Sequence, residues 1–136
     1  MPKETFFNLP AERREAILAV AIDEFAANDY RNVSVSRLVA KAGIAKGSFY
    51  QYFENKLDLY RYLLNLMGEE KIRFLQHTDP PDVGQSIYAH LTFLFRAGFQ
   101  FQLARPRLAQ VAYRFLTTDP ALADEALRPL HQAADA

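Results

Sequence analysis

SVSRLVAKAGIAKGSFYQYFENK, running from Ser34 to Lys56, decides how the rest of the chain is read. Two short apolar-periodic runs meet at Gly43. The first carries Val35, Leu38, Val39 and Ala42; the second carries Phe49, Tyr50 and Phe53. Gly43 stands where a helix must stop and the backbone must turn left-handed, a conformation that suits a residue without a Cβ. Between Arg31 and Phe53 there is no Asp or Glu, while Arg31, Arg37, Lys41 and Lys46 supply positive charge. The spacing predicts a helix-turn-helix with one acid-free basic edge, which is what a reader of duplex DNA needs.

Within the stretch, Ser34 is a good N-cap and Ile44 an apolar plug for the turn. Each helix is only about two turns long, so packing must hold it. Phe49 and Phe53, four apart, make the better core pair. Tyr50 and Tyr52, two apart, cannot share a face, so at least one points outward.

Toward the N-terminus, a helix is expected from Asn8 or Leu9, with Pro10 at an early position where a missing N–H costs little. Glu12 and Glu15 suit its positive end. Ile17, Leu18, Ala21, Ile22 and Phe25 fall on one face, with Arg13, Arg14, Asp23 and Glu24 on the other. Tyr30 and Val33 bring the chain back to the core. Toward the C-terminus, Asn55 caps a long amphipathic helix running from Lys56 to about Leu75. Gly68 is its weak point, costing ~1 kcal/mol against Ala. Asp79-Pro80-Pro81 ends it. After a break between Gln76 and Asp82, an aromatic helix is expected over 82–104, with Tyr88, Phe93, Phe95, Phe99 and Phe101. Arg105-Pro106 interrupts that helix. Leu108, Val111, Ala112, Phe115 and Leu116 pattern another, and Asp119-Pro120 opens a last one to about Leu130. No strand alternation or hairpin signal appears, so the fold class is all-α.

The chain has 136 residues, half of them hydrophobic, with a formal net charge of zero. A real core can form, and any DNA binding must come from local charge segregation. The absence of cysteine excludes disulfides and thiolate metal sites. His77 and His90 lack partners at metal-binding spacing, so neither metal nor other cofactor is expected. No nucleophile elbow, HExxH or glycine-rich phosphate loop points to an enzyme. The first fifteen residues lack a signal-peptide core. The most apolar stretch, Ile87 to Leu103, is broken by His90, Arg96, Gln100 and Gln102, so no membrane partner is expected and the location should be cytoplasmic.

Residues 40–59, AKAGIAKGSFYQYFENKLDL, resemble the signature of the TetR family of transcriptional regulators. Ile17, Ala21, Phe25, Tyr30 and Ser34-Val35 agree with it, so the resemblance spans roughly residues 10–60. It implies an N-terminal three-helix DNA-binding domain (1–56) joined by the long helix to a helical ligand-binding and dimerisation domain (57–136). Lys46, Gly47 and Ser48 would read bases, with Arg37 or Gln51 adding specificity. Tyr50, Tyr52 and Lys56 would clamp phosphates, and Ser34 would cap its helix and touch the DNA backbone. The resemblance also implies a homodimer on a palindromic double-stranded operator, acting as a repressor. A small-molecule inducer would release it by pivoting the helix over 56–75. Pocket candidates are Tyr88, Phe93, Phe99 and Tyr113. Two departures stand out. Ala45 replaces the family's usual Ser or Thr, and the chain is shorter than most members, so the regulatory domain is expected to be incomplete. The rival reading is a helical ligand-binding or protein-interaction module that no longer binds DNA.

Overall fold

The computed structural model describes residues 1–118 and, beyond them, Arg128. The helix expected from Pro120 falls outside the described residues. The described elements are all helical: α1 (Glu4–Phe7), α2 (Ala11–Ala27), a 3-10 turn (Tyr30–Asn32), α3 (Val35–Ala42), α4 (Lys46–Tyr52), α5 (Lys56–Gln76), α6 (Ile87–Ala104) and α7 (Pro106–Thr118).

The punctuation residues act as their chemistry dictates. Ser34 Oγ accepts from the Arg37 N–H at 3.4 Å, and Asn55 Oδ1 accepts from the Asp58 N–H at 2.8 Å. Gly43 terminates α3 in the left-handed region at φ 70°. Gly68 is absorbed within α5, which runs unbroken from Lys56 to Gln76. Two starts differ from expectation. α2 begins at Ala11, with Pro10 as its extended N-cap rather than an early helical residue. α6 begins at Ile87 rather than Asp82, because Ser86 caps it, accepting from the Ala89 N–H at 3.3 Å.

One core joins the first five helices to α7. Phe6, Ile17, Ala21, Phe25, Leu38, Val39, Phe49, Phe53, Leu59, Leu63 and Val111 are buried together. α1 was not foreseen, yet Phe6 is fully buried and its ring lies 4.9 Å from Phe53 and 5.9 Å from Tyr62. Glu24, expected on an outer face, lies inside, and Asp58 of α5 is buried as well. Asp58 is satisfied by the backbone nitrogens of Met1 (2.6 Å) and Glu54 (3.1 Å). α7 packs on both α2 and α5, the two helices that flank the helix-turn-helix. Among the described residues no helix is long and apolar enough to cross a membrane.

Candidate DNA-binding interface

α4 is seven residues long and has no side-chain N-cap, because Ala45 occupies that position. Its stability comes from packing and from borrowed partners. Phe49 and Phe53 anchor it, their rings 5.3 Å apart. Its last turn is satisfied by the N-terminal arm. The Lys3 N–H donates to the Tyr52 carbonyl and Lys3 Nζ to the Tyr50 carbonyl, both at 2.8 Å; Thr5 Oγ1 donates to the Gln51 carbonyl. The opposite edge is thereby left to solvent. Lys46, Gly47, Tyr50 and Gln51 are exposed along it, and Ser48 lies half-buried at its flank. A Cβ at Gly47 would meet nothing within 4 Å, so only an outside partner would sense a side chain there.

The structure brings these residues beside an exposed Ser36, which was not singled out from sequence. Lys46 Nζ donates to Ser36 Oγ at 3.2 Å, linking the outer edges of α3 and α4. The exposed cations Lys41 and Arg31 lie on the same acid-free stretch.

Three expected contacts are placed differently. Lys56 turns inward: its ammonium donates to the Tyr30 (2.8 Å) and Val33 (3.1 Å) carbonyls and stands 4.2 Å over the Tyr30 ring. Burial holds its pKa below the ordinary lysine value. It ties α5 to the turn before α3 and is not a free phosphate clamp. Arg37 is also committed, its Nε donating to Glu24 at 2.6 Å and its Nη2 to the Asn32 carbonyl at 2.9 Å. Tyr52 is half-buried and its ring lies 6.3 Å from Phe6, so it belongs to the core margin while Tyr50 faces out. A lysine or arginine in a basic stretch does not reveal whether its charge faces DNA or an internal acceptor.

Glu24 explains part of this. Its two carboxylate oxygens accept from Arg37 of α3 and from Lys41 of the same helix. Burial pushes its pKa up, but hydrogen bonds and charge from Lys41 and Arg37 outweigh that and hold it below the ordinary value. Its signal was present in the sequence: Glu24 sits seven residues after Ile17 and three after Ala21, on the buried stripe of α2.

The pocket candidates do not converge. Tyr113 lines a half-open cavity of about 410 Å³ between α5, α6 and α7. Phe99 lines an open groove on α6 with Leu91, Leu94 and Phe95, which adjoins that cavity at Gly98 and Gln102. Tyr88 is exposed, and Phe93, half-buried, lines neither.

Residues 17–63 match the family model of bacterial regulatory proteins of the tetR family. A "Fatty acid metabolism regulator protein" of Bacillus subtilis is 33% identical over 63 residues, covering 46% of this chain and 31% of that protein. The HTH-type transcriptional regulator YdgC of the same organism is 36% identical over 53 residues, covering 39% and 27%. A solved TetR family transcriptional regulator from Chloroflexus aurantiacus superposes with a TM-score of 0.80 at 47% identity, covering 93% of this chain and 59% of that one. The fatty acid degradation regulator FadR of Bacillus halodurans shares the fold, with a TM-score of 0.58 at 24% identity, covering 84% and 62%. The matched region thus spans less than a third of the curated relatives and about three fifths of the solved chains.

Proposed function

We propose that this chain, which matches the tetR family model over residues 17–63, is a sequence-specific DNA-binding transcriptional regulator of that family, released from a palindromic operator by a small-molecule inducer. Residues 1–56 form the DNA-binding unit and 57–136 the regulatory one. A homodimer would set two copies of α4 into successive major grooves ~34–36 Å apart. The protein acts in the cytoplasm and carries out no catalysis of its own.

The observation that carries this reading is the α4 edge. Lys46, Gly47, Tyr50 and Gln51 are exposed together while Phe49 and Phe53, on the same short helix, are buried. A helix held from behind, with its polar edge bare and basic, can enter a groove without disturbing its own core. Lys46 reaches a phosphate or a guanine edge, Gly47 lets the backbone approach closely, and Ser48 and Gln51 supply hydrogen bonds. Tyr50 reaches a phosphate. Ser34 stands at the N-terminus of α3, where the helix dipole favours an anion. Arg37 contributes by fixing α3 against α2 more than by reading bases.

The test is binding of the full chain to random duplex DNA and to the DNA flanking its own gene, across a salt series. Affinity should fall with rising salt, and Lys46→Ala should weaken binding and flatten the slope by about one unit. Binding that is absent at low salt, or untouched by Lys46→Ala, favours the rival module that has lost DNA recognition.

A further inference from the structure

The last four carbonyls of a helix have no partner within it. In α4 these belong to Phe49, Tyr50, Gln51 and Tyr52. Phe49 accepts from the Phe53 N–H at 2.8 Å. The other three are taken by two residues of the N-terminal arm. Lys3 Nζ donates to the Tyr50 carbonyl at 2.8 Å, Thr5 Oγ1 to that of Gln51, and the Lys3 N–H to that of Tyr52 at 2.8 Å. The two side-chain donors lie 47 and 46 residues before their acceptors. A cation at this end also suits the negative pole of the helix.

The arm is itself fixed. Phe6 is fully buried against Phe53 of the turn after α4 and Tyr62 of α5. Arg14 of α2 donates from Nη1 to the Phe7 carbonyl at 2.7 Å. The arm thus ties the end of α4 to α2 and α5, while the start of α4 has no side-chain cap. Tyr50 and Gln51 are exposed on the edge proposed to meet DNA, and their own carbonyls are gripped from behind. A displaced arm would therefore move the backbone of these two residues directly. Hydrogen bonds to base edges weaken steeply with misalignment, whereas attraction to the phosphates is diffuse. Lys3 and Thr5 are exposed, so truncating either opens no cavity in the core.

We infer that Lys3 and Thr5 are positioning residues for base recognition: they fix the orientation of α4, and with it the reach of Tyr50 and Gln51, without touching DNA themselves. That role rests on the regulator reading above; the hold on α4 does not. A direct phosphate contact by Lys3 would leave a different signature. It would strengthen binding to every sequence alike and add about one unit to the salt slope. A positioning residue strengthens binding to the preferred sequence and leaves the slope on random duplex unchanged.

The full chain is used to select a preferred duplex from a random pool. Affinity for that duplex and for random duplex is then measured across a salt series, well below the melting temperature of each variant. Lys3→Met and Thr5→Val should each lower the ratio of preferred to random affinity about three- to tenfold. Random-duplex affinity and its salt slope should stay unchanged. Lys3→Arg, which keeps the charge and a side-chain donor, should restore most of the ratio. Amide hydrogen exchange should quicken over residues 49–53 in Lys3→Met and Thr5→Val, and not in α2. A ratio untouched in both variants overturns the positioning role. A slope that falls by about one unit in Lys3→Met, with the ratio intact, makes Lys3 a phosphate contact and overturns the role for that residue. A wild-type chain that binds no duplex defeats the regulator reading and the recognition role together, whereas unchanged exchange over 49–53 defeats the hold on α4 alone.

Discussion

α4 and α6 are opposites. α4 has seven residues, too few to persist alone, yet its Phe49 and Phe53 are 2% and 0% exposed. α6 has eighteen residues and five aromatics, yet Phe95 is 77% exposed and Phe99 62%. The short helix is held by α1, α3 and α5, with foreign donors at its C-terminal end. The long one closes its own hydrogen-bond ladder and buries only Ala97 and Phe101, neither of which joins the core of the first five helices. Aromatic content therefore says where a helix can pack, and neighbours decide whether it does. Function follows the same division. The edge proposed to face DNA is held from behind by this packing.

The contrast can be broken most directly at the phenylalanines. Phe53→Ala should cost about 3–5 kcal/mol in urea unfolding, since the cavity would open between Phe6 and Phe49. Phe95→Ala should change stability by no more than about 0.5 kcal/mol. Equal losses at the two sites would show that α6 is packed as tightly as α4.

Next in size is the buried carboxylate that fastens α3. Glu24→Gln should cost about 1–2 kcal/mol, less than a wholly enclosed pair would, because Arg37 and Lys41 are themselves partly solvated. The sign of its pH dependence follows from its lowered pKa. The unfolded chain holds its proton up to a higher pH than the folded one. The stabilisation is thus complete above the ordinary value of 4.5 and disappears as pH falls below it, through the depressed folded value. Unfolding curves of wild type and Glu24→Gln should therefore converge in acid and separate toward neutrality.

Gly43→Ala sharpens the comparison at the turn. Gly43 lies at φ 70° and a Cβ there would meet nothing within 4 Å, so the expected loss of about 1–2 kcal/mol is purely conformational. A loss well outside that range would mean the turn is held by contacts and not by backbone preference. The smallest effect runs the other way. Ala45 already has the extended backbone of an N-cap, φ −74° and ψ 151°, without a side-chain acceptor. Ala45→Ser should stabilise α4 by about 0.5–1 kcal/mol, read as a rise in melting temperature.

Much of the molecule was legible because its signals are local. Ser34, Gly43 and Asn55 mark helix ends through their own side chains or lack of one, and the structure uses each as read. The apolar stripe from Ile17 to Phe25 and the Phe49–Phe53 pair follow from helical repeat. α1 is not legible in the sequence because four residues carry no periodicity; only the burial of Phe6 against Phe53 and Tyr62 makes them matter. Lys56 and Arg37 were misplaced because a cation's identity does not say which oxygen it meets.

Residue identity and spacing, then, determined the all-helical plan, the turn at Gly43 and the basic edge around Lys46. These depend on interactions within one or two turns of chain, and a few residues encode them. Tertiary structure alone decided that the Glu24 carboxylate meets Arg37 and Lys41, that Lys56 faces inward and that Arg114 of α7 seals the end of α2. Each of these joins groups far apart in the chain, and which partner a long charged side chain finds is settled only when whole helices dock and exclude water between them.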